Sequence, residues 1–336
     1  MNKKAIALIS GGLDSALAAK MILDMGIDVH GINFVLPFDI PSQPLPGTKD
    51  RAQTSATDIG IPLKTMQLGM DYIEMLRHPC HGYGKAVNPC IDCHAFFLRK
   101  AGEFMRETGA DFIVTGEVLG QRPMSQRRDT LKLVENESGL QGLILRPLSA
   151  KQLNPTIAET EGWVDRNKLL GIKGRSRHEQ FQLAEKIGVR EYPLPAGGCL
   201  LTELSFAPKV RDLLEHPSHN ELRDFQLLKT GRHFRLGPQT KLILGRSAED
   251  NAALESILRP EDSTIAWMDG KTPLGVITGT LDAELIKIAM QILLRYTKAE
   301  PGQQCRMQLR CNEAESVLYA EDCFNEESAA KYRIGT

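Results

Sequence analysis

Ala5-Ile6-Ala7-Leu8-Ile9-Ser10-Gly11-Gly12-Leu13-Asp14-Ser15 sets the architecture of this chain. Five apolar residues between polar flanks read as a buried parallel strand, and the serine-glycine turn hands the chain to a helix over Ala16 to Met25, closed by Gly26. The same alternation continues outward. Val29 to Phe34 and Leu63 to Leu68 read as strands, with a proline-rich loop (Pro37 to Pro46) and a helix (Lys49 to Ile59) between them. Cys93 to Thr108 reads as a helix ended by Gly109, and Phe112 to Thr115 as the next strand. Strands alternating with helices imply βαβ units and a parallel sheet covered on both faces, with ligands bound at the carboxyl ends of its strands.

From about Glu221 the pattern changes. Phe225 to Leu228, His233 to Leu236 and Lys241 to Leu244 read as short strands split by Gly231 and by Gly237-Pro238. A helix over Asn251 to Leu258, strands at Thr264 to Met268 and Val276 to Thr278, and a helix over Leu281 to Tyr296 follow. The expected fold class is therefore α/β, with residues 1–204 as the catalytic domain and residues 205–336 as a smaller α+β domain. The acidic stretch Glu321 to Glu327 reads as a solvated tail.

Composition narrows the function classes. The 336 residues are 42% hydrophobic and 25% charged with a net charge of -1, so neither a disordered nor a strongly basic chain is in view. No apolar run approaches the roughly 20 residues of a membrane span. The segment after Met1 to Lys4 is too short for a signal-peptide core, which makes a cytoplasmic location the expectation and a membrane partner unexpected. Seven cysteines in a reducing compartment point to thiol or metal chemistry rather than a disulfide framework.

The turn at Ser10 to Ser15 carries the first chemistry. Glycines let the backbone approach an anion, helix N-terminal N–H groups bind phosphate oxygens, and Ser10 and Ser15 add hydroxyls. Asp14 would repel a polyphosphate unless a cation bridges them, which calls for Mg²⁺. The Lys-Ser/Thr ending of a Walker A loop is missing. An ordinary capped turn competes with this reading. The full hexapeptide Ser-Gly-Gly-Leu-Asp-Ser resembles the signature of the PP-loop ATP pyrophosphatases. That resemblance implies ATP cleaved between its α- and β-phosphates, with Ser10, Gly11, Gly12, Leu13, Asp14 and Ser15 at the phosphates, adenine near Asn33 and Phe34, and adenylation of a substrate oxygen.

Val114-Thr115-Gly116-Glu117-Val118-Leu119-Gly120-Gln121, followed by Ser125-Gln126 and later by Leu145-Arg146-Pro147-Leu148, resembles segments of tRNA 4-thiouridine synthetases. By that resemblance Thr115, Gly116 and Gln121 help close the ATP site, while Arg122, Arg127 and Arg128 give its rim positive charge.

Asn88-Pro89-Cys90-Ile91-Asp92-Cys93 places a CxxC at the start of a helix, where thiol pKa values fall, and Cys199 follows Pro195-Ala196-Gly197-Gly198 in a distant loop. Three thiolates leave one position of a [4Fe–4S] cluster open, whereas four would suggest a closed structural site. The arrangement resembles cluster-dependent tRNA thiolases, which implies Cys90, Cys93 and Cys199 as metal ligands. The segment at Cys90 also resembles the Asn-Pro-x-x-x-Cys loop of tRNA 2-thiouridylases, which implies a persulfide on Cys199 with Cys90 or Cys93 as its partner. Cys80-His81 is near enough in sequence to supply a fourth ligand to structural zinc. The open [4Fe–4S] cluster is the expectation carried forward, with the persulfide pair and structural zinc as its alternatives. Cys305, Cys311 and Cys323 have no ligand spacing and read as buried or idle thiols.

Two basic stretches, Arg166 to Arg190 and Arg223 to Arg246, qualify as RNA-contacting surface. Lys229-Thr230-Gly231-Arg232-His233-Phe234-Arg235-Leu236 resembles the RNA-associated domain of ribosome-quality-control proteins. The N-terminal RNA-capturing module and C-terminal sulfur-relay domain of 4-thiouridine synthetases are not recognisable. The resulting expectation is an ATP-dependent, AMP-forming tRNA sulfurtransferase with Asp14, Cys90 and Cys199 as catalytic residues. Its partners would be tRNA and a sulfur donor, either sulfide or a cysteine desulfurase, and a homodimer is left open. The alternatives are a PP-loop enzyme that adenylates a small molecule and a non-catalytic RNA-binding protein that retains the loop.

Overall fold

The N-terminal apolar run is β1 (Lys4–Leu8), and it lies at the centre of a parallel sheet in the computed structural model. The model describes residues 3–39, 50–190, 192, 199–216, 221–300, 302–311 and 314–335. Most of the proline-rich loop, from Ile40 on, lies outside the described residues, as do Lys49 and Pro195 to Gly198. The chain divides into two units, one gathering 1–36, 46–84 and 88–197, the other 37–45, 85–87 and 198–336.

In the first unit the strands run β3 (Leu63–Gln67), β2 (Asp28–Val35), β1, β4 (Phe112–Val114), β5 (Ile144–Leu145), all parallel. Alternation along β1 explains why both faces are covered. Ala5, Ala7 and Ile9 join a core with α1 (Leu13–Leu23), α2 (Arg51–Ile59) and residues after β5, while Ile6 joins the opposite core. That second core takes the apolar face of α4 (Cys90–Thr108) and Val134 of α5 (Arg128–Ser138). Gly60, Gly109 and Gly139 close α2, α4 and α5 in the left-handed conformation, which a residue without Cβ adopts at little cost. Helix α3 (Met70–Arg77) precedes α4 and buries Tyr72 against it. Short α6 (Ile157–Thr160) and then α7 (His178–Ile187) complete the unit, Ala184 of α7 joining the α1 core.

The second unit carries an antiparallel sheet. Its order is β11 (Ala314–Ala320), β10 (Cys305–Cys311), β8 (Ser263–Trp267), β9 (Gly275–Thr278), β7 (Thr240–Leu244), β6 (Arg232–Gly237). Helix α8 (Ala207–Glu215) and α9 (Leu222–Gln226) precede it, α10 (Ala248–Glu255) follows β7, α11 (Ala283–Arg295) covers one face, and α12 (Glu326–Ala330) comes near the C-terminus. Three expectations are corrected here. Phe225 to Leu228 is not a strand: α9 and a 3₁₀ turn form instead, started by a reciprocal cap between Glu221 and Asp224. The helix expected at Asn251 begins earlier, at Ala248, because the Ser247 hydroxyl accepts from the Asp250 amide. The acidic stretch is not wholly a tail, since Asn325 caps α12 and Glu326 pairs with Arg295. No helix among the described residues is long and apolar enough to cross a membrane.

Candidate nucleotide and thiol site

The loop between β1 and α1 is folded on itself by its own hydroxyls. Ser15 Oγ donates to the Gly12 carbonyl at 2.8 Å and lies 3.2 Å from Ser10 Oγ, which accepts from the Gly12 amide at 3.4 Å. Gly11 has φ +74°, and a Cβ there would come within 2.9 Å of Arg51 and Ala52 backbone atoms. Only glycine fits. The second motif closes onto this loop. A Cβ on Gly116 would stand 2.5 Å from the Asp14 carbonyl carbon and from the Ser15 nitrogen.

A cavity of about 290 Å³ opens where the two meet, lined by Ser10, Gly12, Leu13, Asp14, Ser15, Thr115 and Gly116. His94, Phe97, Glu117, Arg122 and Arg177 line it as well. Asn33 and Phe34 lie on β2, and Phe34 stacks on Phe97 with ring centroids 5.4 Å apart. Gln121 acts on the loop rather than on the cavity. Its amide donates to Asp14 Oδ2 at 2.7 Å, and its carbonyl accepts from Gln180 Nε2 at 2.9 Å. Arg177 also donates to Asp14 Oδ2, at 3.0 Å. Asp14 Oδ1 is buried and has no hydrogen-bond partner among the described residues. A buried carboxylate oxygen left open is a position a hard cation can fill.

A chain of charges runs from this cavity to the CxxC. Glu117 is 8% exposed, accepts from Thr115 Oγ1 at 3.0 Å and from Arg146 Nε at 2.9 Å, and its Oε1 lies 3.2 Å from His94 Nδ1. Burial alone would raise the Glu117 pKa, but Arg146 and His94 bring it down to about 2. Burial likewise disfavours charge on His94, yet hydrogen bonds and charge from Cys90 and Glu117 raise it to about 9. Burial pushes the Cys90 thiol up, and His94, with Ser125 and Arg122, more than offsets this and leaves it below the ordinary thiol range. A thiol lowered beside an imidazole raised is a shift towards the thiolate, the form in which cysteine is a nucleophile.

Cys93 lies one turn along, with its sulfur 3.3 Å from the buried Tyr72 hydroxyl. Cys199 begins the turn Leu200–Thr202 of the second unit, half-buried. Cys80 is exposed, and the loop holding it is tied down by Asp92, which accepts from the Cys80 amide at 3.0 Å and the His81 amide at 3.2 Å. Cys305 is buried, Cys311 half-buried and Cys323 exposed. Among the described residues no three His, Cys, Asp or Glu side chains are grouped to hold a metal ion. Cys90 and Cys93 have different hydrogen-bond partners, His94 and Ser125 for the first and Tyr72 for the second.

His94, Glu117, Arg146, Arg177 and Gln180 escaped recognition as site residues from the sequence. His94 sits beside the CxxC and Glu117 inside the quoted second motif, but the pairing of His94 with Glu117 spans 23 residues and that of Arg177 with Asp14 spans 163. The basic stretch from Arg223 to Arg246 is largely neutralised inside its unit, where Arg223 meets Asp262, Arg235 and Lys241 meet Asp212, and Arg246 meets Asp250.

Comparison with known proteins follows the same division. Residues 1–159 match the family described as thiamine biosynthesis protein (ThiI), and residues 231–333 match the NFACT protein RNA binding domain. The tRNA-specific 2-thiouridylase MnmA of Syntrophotalea carbinolica is 33% identical over 126 residues, covering 34% of this chain and 34% of that protein. The 2-thiouridylase MnmA of Francisella tularensis subsp. novicida is 26% identical over 240 residues, covering 69% of this chain and 64% of that protein. The chain thus spans between about a third and just under two thirds of these two relatives. A crystal structure of a 4-thiouridine synthetase–RNA complex with bound ATP is 22% identical over 56% of this chain and 52% of that one, with a TM-score of 0.33. The resemblance of the N-terminal motifs to tRNA-thiolating PP-loop enzymes, and of the segment after Gly231 to an RNA-associated domain, therefore stands on two separate matches.

Proposed function

We propose that this protein is an ATP-dependent tRNA uridine thiolase that releases pyrophosphate and AMP. The observation that carries the proposal is the shared cavity: the glycine loop lines one side of it, and the His94–Glu117 arm reaching to Cys90 lines another. ATP would lie with its phosphates on the Ser10 to Ser15 backbone. Asp14 Oδ1 fits a Mg²⁺ ion, whose chemistry there is to neutralise phosphate charge. A uridine carbonyl oxygen attacks the α-phosphorus, the bond to the bridging oxygen breaks, and pyrophosphate leaves. The Ser10 to Ser15 amides hold the developing negative charge. A sulfur nucleophile then attacks the activated ring carbon, and AMP leaves with the former carbonyl oxygen.

Sulfur is delivered from a persulfide. The Cys90 thiolate attacks its inner sulfur, and a disulfide to Cys90 forms. The outer sulfur leaves as hydrosulfide to attack the ring carbon, and an external thiol reductant restores the cysteines. The resemblance to tRNA-thiolating enzymes implies Cys199 as the persulfide carrier, with Cys90 or Cys93 as its partner. The lowering of Cys90 beside His94 supports the thiolate reading, and a [4Fe–4S] cluster held by Cys90, Cys93 and Cys199 is the second reading, told apart by iron content.

The test uses unmodified tRNA, ATP, Mg²⁺ and a persulfide donor, with pyrophosphate release and thiouridine by mass spectrometry as readouts. Release stimulated by tRNA, with thiouridine formed, supports the proposal. Release that ignores tRNA and answers to a metabolite points to the small-molecule adenylating enzyme. No ATP turnover under any condition leaves the non-catalytic RNA-binding protein.

A further inference from the structure

Lys209 of α8 precedes the segment that matches an RNA-binding domain, yet it lines a cavity of about 420 Å³ with residues of that segment. Lys229, Arg232, Arg246 and Arg333 line the same cavity, against a single carboxylate among the described residues, Glu203. Three of the cations have acidic partners: Lys229 with Asp39, Arg246 with Asp250 at 2.7 Å, and Arg333 with Glu326 at 3.8 Å. The other two do not. Arg232 lies over the Tyr296 ring at 4.6 Å, and Lys209 Nζ reaches only the carbonyls of Leu228 and Gly231, at 3.2 and 3.3 Å. Neither has a carboxylate within ion-pair distance among the described residues.

His233, 1% exposed, also lines the cavity. Its Nε2 is 2.8 Å from the Thr230 carbonyl, and its buried Nδ1 has no partner among the described residues. Burial, and then the charges of Lys241, Lys209 and Arg246, hold His233 neutral. Burial, with Arg246 and Arg333 outweighing Asp250, lowers Lys209 to about 8. Cations crowded together and partly removed from water are costly unless an anion joins them. The volume falls in the range, roughly 300–1,000 Å³, of pockets that hold more than a bare ion.

We propose that this cavity seats a backbone phosphate of an RNA strand, with Lys209, Arg232 and Arg333 as its contacts. The proposal rests on the tRNA reading above and deepens it by placing one point of RNA attachment outside the matched domain segment.

The experiment is filter binding of the full chain to an unmodified tRNA transcript without ATP, from about 50 to 200 mM salt. Lys209→Gln is expected to weaken binding about 5- to 10-fold and to reduce the slope of log affinity against log salt by about one, with Lys209→Arg retaining both. Arg333→Gln, a peripheral change that leaves α8 untouched, is expected to do the same, and melting curves identify any misfolded variant. Unaltered affinity and slope in both Gln variants, in a wild-type chain that binds tRNA, overturns the pocket alone. A wild-type chain that binds no tRNA overturns the occupant and the tRNA reading together. Inorganic phosphate that binds in a Lys209-dependent way, while tRNA binding ignores Lys209, overturns the RNA assignment in favour of a small anion.

Discussion

Gly116 and Ser15 touch through backbone alone: a Cβ on the glycine would stand 2.5 Å from the serine nitrogen. Contacts that close do not exist between real Cβ atoms and backbone, so one loop must move when the other gains a methyl group. Gly116→Ala is expected to displace the Ser10 to Ser15 amides and weaken ATP binding by about 10- to 100-fold, the equivalent of the roughly 1–3 kcal/mol that overpacking costs. Equilibrium dialysis with ATP measures it. An alanine variant with unchanged affinity would show that the two loops do not share the nucleotide.

Arg146 is 4% exposed and holds the buried Glu117 carboxylate. Removing one partner of such a pair leaves the other charge uncompensated, so Arg146→Met is expected to cost about 3–5 kcal/mol in urea unfolding at pH 7. The wild-type dependence on pH has a definite sign. Glu117 titrates lower when folded than when unfolded, so its contribution is complete above about 4.5 and is lost as pH falls towards about 2. The Arg146→Met variant should lack that acid limb.

The thiolate at Cys90 is tested by alkylation, mapped peptide by peptide. In the wild-type chain Cys90 should react with iodoacetamide at pH values where ordinary thiols are still protonated. Replacing His94 with Gln removes the partner that lowers the thiol, so the rate profile should shift to higher pH. Equal profiles would remove His94 from the mechanism.

Cys90 and Cys93 should differ in effect, because their partners differ. Cys90→Ser is expected to spare tRNA-stimulated pyrophosphate release and to abolish thiouridine formation, while Cys93→Ser retains both. Loss of thiolation in both variants, together with about four irons per chain in protein purified without oxygen, would restore the cluster reading.

Asp14→Asn is expected to reduce Mg²⁺-dependent pyrophosphate release at least 100-fold while leaving the melting temperature within a few degrees. Titration of release against Mg²⁺ decides it. A variant with the wild-type Mg²⁺ requirement would show that the open Oδ1 is not a cation ligand.

The parallel sheet was legible because β1 is an apolar run and β2 and β3, although mixed in polarity, are set off by glycine, proline and helical spacing. Cys305-Arg306-Met307-Gln308-Leu309-Arg310-Cys311 alternates in and out along most of its length, a strand signal that went unread beside the interest in its cysteines. Its partner β11 shows almost no such pattern, since an edge strand with most residues exposed has little to bury. Phe225 misled because a short apolar run has no period long enough to separate strand from helix. The phosphate loop was legible as a contiguous motif. The charge relay was not, since Cys90, Glu117 and Arg146 come together only when α4, the loop after β4 and the end of β5 are stacked.

The tether on Asp14 bears on how the protein is made. The nucleotide loop is made well before its partners, since its carboxylate is held by Gln121 and Arg177, made 107 and 163 residues later. Helix α7, which follows Arg177, also supplies part of the core beneath α1. A nascent chain that ends at residue 159, although it contains the whole of the matched family segment, would therefore carry an unfinished loop. Competence for ATP would arise only once α7 docks, and a fragment cut at the family boundary is a poor choice for study of the nucleotide site.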